Sequence, residues 1–251
     1  MSQRKIELFT VPGIPLIDSS SDLPKLIVES LEKAGMCLLD GDILVIAHAV
    51  VSKSEGRVVH HDEISLSERA QQIAEKNSFD PLHVELALRE AKEVLREERI
   101  LVTATHSGLV CNFSGVDKSN APRNSYILLP LNPDESAKRI REALETLANV
   151  KLAVIISDTQ GRPWRTGGVN LAIGSAGIGA FVHNKGKRDL YGRELERSTV
   201  CQIDEIASAA EPLMGQAGEG MPVVIVRGYR FSDGTETARD IQRPTEEDLF
   251  R

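Results

Sequence analysis

The chain has 251 residues, 41% hydrophobic and 27% charged, with a formal net charge of −7. That balance excludes a disordered polypeptide, and the acidity speaks against a general nucleic-acid binder, which carries a basic footprint. No run approaches the roughly 20 apolar residues of a membrane span, and residues 1–10 lack a basic-then-apolar leader pattern, so a cytoplasmic protein with no membrane partner is expected.

In chain order, residues 6–9 read as a short strand, broken by Pro12, Gly13 and Pro15. Leu23, Leu26, Ile27 and Leu31 recur at helical spacing after the capping candidates Ser21 and Asp22. Residues 43–51 form an apolar, β-branched run and read as one buried strand containing His48. Residues 66–76 and 81–97 read as helices, the second with a broad apolar face from Val84 to Leu95. Residues 100–105 and 109–112 read as a hairpin around His106-Ser107-Gly108. A strand over 126–131, a helix over 136–148, a buried strand over 150–157, a helix over 207–214 and a strand over 223–227 follow. From about residue 232 the chain reads as a polar tail.

Interleaved helices and strands imply an α/β (mixed α+β) architecture, and residues 1–251 are long enough for one domain of one or two lobes. Cys37, Cys111 and Cys201 have no metal-binding spacing and fit a reducing compartment, with Cys111 as a packed core thiol.

The chemistry-bearing candidates sit in loops. Asp158 follows an apolar strand and precedes Gln160-Gly161, a place where α/β proteins put ligand-binding groups. Asp117 lies in a second loop, Ser114-Gly115-Val116-Asp117-Lys118-Ser119-Asn120. Taken singly, each aspartate reads more readily as a local turn-former. Together they offer the carboxylates with which Mg²⁺ is held beside phosphate. Gly167-Gly168, residues 174–179 and residues 215–220 suit either close approach to a ligand or tight packing, and none matches a P-loop or a dinucleotide fingerprint. Arg162 and Arg165 bracket Pro163-Trp164 and offer forks for phosphate or carboxylate. No histidine spacing builds a zinc site, so His48 reads as a core residue. The residues alone carry the reading as far as metal-assisted handling of a phosphorylated small molecule.

Several stretches together resemble the coenzyme F420-0:L-glutamate ligase (F420 gamma-glutamyl ligase) family. They are Val51-Ser52-Lys53-Ser54-Glu55-Gly56-Arg57, the Asp117 loop, and Ile156-Ser157-Asp158-Thr159-Gln160-Gly161-Arg162-Pro163-Trp164-Arg165. Asp189-Leu190-Tyr191-Gly192-Arg193, Asp204-Glu205-Ile206-Ala207 and Leu213-Met214-Gly215-Gln216-Ala217-Gly218 add to them. The chain departs from some members at His48-Ala49, where small hydroxyl residues are expected.

The resemblance implies a GTP-dependent ligase joining L-glutamate to coenzyme F420-0 through an acyl phosphate, with further gamma-linked glutamate added afterwards. It implies an interlocked homodimer of two-lobed subunits with mixed sheets, a pair of Mg²⁺ or Mn²⁺ ions per subunit, and K⁺. Carried onto this sequence, Asp117 and Asp158 would ligate one ion, and Thr159 and Gln216 would serve the second. Nucleotide contacts would come from Ile14, Pro15, Leu16, Ile17, Lys53, Asn120, Met214, Gly215, Gln216, Ala217, Gly218, Glu219, Gly220 and Met221. Lys53, Arg162 and Arg165 would act on the reacting groups. The competing classes are a metal-dependent phosphohydrolase and a non-catalytic GTP-binding module.

Overall fold

The computed structural model describes residues 5–231 and 234–249. Its elements run in the order β1 (Glu7–Thr10), α1 (Leu23–Lys33), β2 (Ile43–Ala47), α2 (His48–Ser54), β3 (Val58–His60), α3 (Glu68–Asn77), α4 (Pro81–Glu90), β4 (Ala91–Arg96) and β5 (Val102–Thr105). Then come β6 (Val110–Asn112), β7 (Ser125–Ile127), α5 (Pro133–Ala148), β8 (Ala153–Arg162), β9 (Arg165–Ala176), β10 (Phe181–His183), β11 (Thr199–Cys201), α6 (Gln202–Met214) and β12 (Val223–Arg227). The class is mixed α/β, as the sequence pattern requires. Among the described residues no helix is long and apolar enough to cross a membrane.

The largest sheet has the order β1-β12-β2-β8-β9. Within it β2 and β8 are parallel, and the other neighbours are antiparallel. Its three central strands carry continuous apolar runs, Ala153–Ile156 in the case of β8, because helices cover both faces there. The two-residue period sends Leu44, Ile46, Val154, Ile156, Val223 and Ile225 to one side, against Ile27 and Leu31 of α1 and Ile140 and Leu144 of α5. It sends Ile43, Val45, Ala153, Ile155, Val224 and Val226 to the other, against Ile203, Ile206, Ala207 and Ala210 of α6. Each such side chain, fully buried, contributes roughly 1.5–3 kcal/mol, so these strands form a rigid base for whatever sits at their ends.

Local chemistry sets the helix boundaries. Asp22 caps α1 by accepting from Lys25 N, and Asn132 caps α5 by accepting from Glu135 N. Pro133 fits the first turn of α5, where its missing N–H leaves no bond unmade. Residues 58–130 build smaller units: the β3–β7 ladder, the β4-β5-β6 sheet and the α3–α4 pair. They have their own apolar clusters, around Ile73, Val84 and Leu101 and around Leu86, Tyr126 and Leu128.

Four stretches differ from the sequence pattern. Residues 43–51 are not one strand, because the chain turns helical at His48. Val50 and Val51 pack into the main core from α2, and burial outweighs a β-branched preference worth under about 1 kcal/mol. The helix expected over 81–97 stops at Glu90, and the next six residues pair with β5 through two register shifts. The strand before Asp158 does not end there. It continues to Arg162 and folds back as β9 through Pro163-Trp164, so Gln160-Gly161 lies in the strand rather than in a turn. Residues 234–249 return to the body: Ala238 is buried, and Ala238 N and Arg239 N donate to the Asp134 carboxylate.

Candidate functional site at the carboxyl ends of β2 and β8

The parallel register pairs Ala47 with Ser157, so His48, where the chain leaves β2 for α2, stands beside Asp158, which stays in the sheet and pairs with Leu171 of β9. Ligands of open α/β sheets gather at the carboxyl ends of parallel strands. His48 Nε2 lies 3.3 Å from Asp158 Oδ1, with side chains only 6% and 14% exposed. Burial pushes the Asp158 carboxyl above its ordinary range; the His48 charge pulls it back and the Asp117 charge pushes it further up. Asp117 and Asp158, 41 positions apart in sequence, therefore feel one another. Cys111 packs in the main core nearby. Burial first, and Asp158 second, push its thiol far up, so it stays protonated and is no nucleophile.

The Asp117 loop is held from several sides. Asp117 N and O bond Ile127 O and N at 2.9 and 2.8 Å. Ser114 Oγ donates to Ala87 O of α4, and His83 Nε2 lies 2.8 Å from Val116 O. Lys118 pairs with Asp80. The Asp117 carboxylate accepts from Ser119 N at 2.8 Å and Ser119 Oγ at 2.5 Å. That is the turn-forming role, and it occupies two of about four lone-pair sites, leaving acceptor capacity for a ligand. Asn120 follows in the left-handed region, φ 54°, with its carbonyl turned to Lys53 Nζ at 2.9 Å. Lys53, on the last turn of α2, is buried, and burial lowers its ammonium pKa.

On the β8–β9 side, Thr159 Oγ1 donates to Asn170 Oδ1 at 2.6 Å and accepts from Gln216 Nε2 at 2.8 Å. Gln216 Nε2 also donates to Glu211 Oε1 at 3.0 Å. Gly215 ends α6 at φ 70° and lets the chain turn so that Gln216 faces Thr159. Asn170 is buried, and its carbonyl accepts from Ser208 Oγ of α6 at 2.6 Å. Nothing in the sequence singled Asn170 out, since its role depends on a β9 that three glycines disguise.

The profile of the F420-0:gamma-glutamyl ligase family matches residues 13–228, a span that holds every one of these groups. The chain belongs to this family. It is 45% identical to the coenzyme F420:L-glutamate ligase of Methanothermobacter thermautotrophicus, over 98% of this chain and 99% of that one. The enzyme of the same name from Methanopyrus kandleri is 47% identical over 96% and 97%, and that of Archaeoglobus fulgidus 40% over 98% and 97%.

The remaining candidates of the F420-0:gamma-glutamyl ligase sequence pattern fall in three places. Residues 13–19 approach the end of α2: a Cβ built on Gly56 would lie 3.8 Å from Ser19 Cβ. There Ile14 and Ile17 pack inward and Leu16 is 96% exposed. Beyond Gln216, Glu219 Oε2 accepts from Ala217 N at 2.8 Å and folds residues 215–220 on themselves. Arg162 and Arg165 pair at the tip of the β8–β9 hairpin beside an 82% exposed Trp164. At ~3.3 Å per residue, their backbones are about 13 Å along the strand from Asp158. Arg162 Nη2 donates to Thr166 O and Gly167 O at 3.3 Å. Gly174 answers the packing alternative, because a Cβ there would meet Pro133 O at 2.4 Å.

Among the described residues, no three His, Cys, Asp or Glu side chains gather as a metal cage. The donors are the two carboxylates on one side of the sheet and, on the other, the neutral oxygens of Thr159 and Gln216, since successive residues of β8 face opposite ways. Oxygen donors of this kind fit Mg²⁺ or Mn²⁺, which complete their shells with phosphate and water, and do not fit zinc. A carboxyl pushed upward by burial first, with a smaller push from a second carboxylate, is also an electrostatic setting that a cation relieves.

Proposed function

We propose that the protein is a coenzyme F420-0:L-glutamate ligase driven by GTP. The observation that carries this reading is Asp158 on β8 beside the end of β2, under the charge of Asp117, with the Lys53–Asn120 bond tying α2 to the Asp117 loop, in a chain whose close relatives are named coenzyme F420:L-glutamate ligase. A carboxylate is a poor electrophile, so its conversion to an amide needs activation. The acceptor's carboxylate oxygen attacks the γ-phosphorus of GTP, GDP leaves, and an acyl phosphate forms. The amine of L-glutamate then attacks the acyl carbon, loses a proton, and expels inorganic phosphate.

The divalent ions supply neutralisation of the phosphate charge when bound. Asp117 and Asp158 hold one of them, and Thr159 and Gln216 serve the other. Lys53 places a point charge on the phosphates, while residues 14–17, Asn120 and residues 214–221 hold the nucleotide. Arg162 and Arg165 hold anionic groups of the acceptor or of glutamate. A second cycle on the γ-carboxylate of the added glutamate extends the product. K⁺ assists, and the working unit is a homodimer, a reading supported by the exposed Trp164, Leu190 and Tyr191.

The test is incubation with coenzyme F420-0, L-glutamate, GTP and Mn²⁺, with products read by mass spectrometry. A glutamylated product formed in step with GDP supports the reading. Phosphate release that needs neither glutamate nor acceptor identifies a phosphohydrolase instead, and GTP binding without turnover identifies a nucleotide-binding module.

A further inference from the structure

His48 has no task in the reaction just described, yet its place in the fold is specific. It opens α2 directly after Ala47, whose partner in the parallel register is Ser157. That register sets the imidazole beside Asp158 rather than against the apolar core. Nε2 is 3.3 Å from Asp158 Oδ1, while Nδ1 is buried without a hydrogen-bond partner. A neutral imidazole has one N–H, and of its two nitrogens only Nε2 has an acceptor to meet. A buried ring with an unpaired nitrogen is a costly way to fill space that an apolar side chain fills freely. No other basic side chain forms an ion pair with Asp158 among the described residues. Lys53, the other buried basic residue of α2, is turned to Asn120.

We propose that His48 is a positioning residue for Asp158, its Nε2 edge, in close contact at 3.3 Å, fixing the rotamer in which the carboxylate receives a divalent cation. Carboxylates that bind metals are commonly oriented by such partners, and losing the partner weakens the metal about 10- to 100-fold. The inference rests on the cation role of Asp158 proposed above.

Two substitutions separate positioning from packing. The amide nitrogen of His48→Gln reaches the place of Nε2, whereas that of His48→Asn stops near Nδ1. Both are polar, and both remove the ring. Mn²⁺ binding is measured on the full-length protein through the electron paramagnetic resonance signal of free Mn²⁺, below the melting temperature of the less stable variant. His48→Asn is expected to lose about tenfold or more in Mn²⁺ affinity and His48→Gln to stay within about threefold of the wild type, with similar melting temperatures for the two. Equal behaviour of the two variants, both retaining or both losing Mn²⁺, overturns the proposal. Asp158→Asn serves as the reference. If it binds Mn²⁺ like the wild type, the cation reading falls and takes this inference with it. If it loses Mn²⁺ while both His48 variants keep it, only the positioning role falls.

Discussion

Lys53 Nζ donates to the carbonyl of Asn120 at 2.9 Å, joining the last turn of α2 to the loop that carries Asp117 across 67 positions of sequence. A helix carboxyl terminus favours a cation, and burial of this one lowers its ammonium pKa. Lys53 is assigned as the phosphate-facing charge of the site. Lys53→Met is therefore expected to weaken GTP about 10- to 100-fold, the equivalent of ~1.5–3 kcal/mol for a charged bond, and to leave guanosine nearly unaffected. Calorimetry with both ligands checks this, and equal losses would place Lys53 away from the phosphates.

Asp80 carries much of the anchoring of the Asp117 loop. Burial alone would raise its carboxyl pKa, but bonds from Lys118 and Tyr126 hold it at about 2 instead of 3.8. A carboxyl depressed on folding adds stability above its unfolded pKa and loses that stability as pH falls toward the folded one. The contribution of Asp80 is thus complete above about pH 4 and fades toward pH 2. Because the side chain is one-third exposed, the expected cost of Asp80→Asn at neutral pH is about 1–2 kcal/mol. Urea unfolding at pH 7 and pH 3 should show the gap between the two proteins narrowing at the lower pH.

Gly174 tests whether the glycines of β9 serve packing. Its missing side chain makes room for the backbone of Pro133, at the first turn of α5. Gly174→Ala should destabilise the fold by roughly 1–3 kcal/mol, with GTP affinity of the folded protein unchanged. Denaturant unfolding beside nucleotide titration measures both. A loss of affinity without a loss of stability would return this glycine to the ligand.

How far the sequence carried depended on whether a signal was local. The central strands were legible because both of their faces are buried and the runs are apolar. The switch from β2 to α2 at His48 was not, since Val50 and Val51 look the same in either state and only packing on α1 and the core decides. β9 was hidden by Gly167, Gly168 and Gly174, which break any alternation, and with it the Thr159–Asn170 contact. The early stop of α4 has no glycine or proline to mark it. At the site, Asp117, Asp158, Lys53 and Asn120 were each picked from motif stretches, but the β2–β8 register that sets α2 beside Asp158, and the bonds that hold the Asp117 loop to Ile127 and to Lys53, are long-range. The His48–Asp158 contact needs that register as well, and a chain read in one dimension makes His48 an ordinary core residue.

Arg165 sits at the exposed tip of the β8–β9 hairpin, across from Arg162, and is assigned to an anionic acceptor rather than to GTP. Arg165→Lys keeps the charge and loses the fork. The KM for coenzyme F420-0 or for glutamate should rise about 3- to 30-fold, of the order of one bond to a charged group, with the KM for GTP little changed. Kinetics that vary each substrate in turn decide it, and a rise confined to GTP would give the hairpin to the nucleotide.

Asp158 is the point on which the whole reading turns: largely buried, in contact with His48, and set against the charge of Asp117 midway along β8. The amide of Asp158→Asn keeps the shape and removes the charge that would hold a metal ion. The decisive measurement is the yield of glutamylated product by mass spectrometry from wild type and Asp158→Asn, at limiting Mn²⁺, after circular dichroism has shown that both are folded. A loss of about 100-fold or more is expected in the variant, in line with the removal of charge stabilisation from a transferring phosphoryl group. Wild-type product formation by a folded Asp158→Asn protein would contradict it.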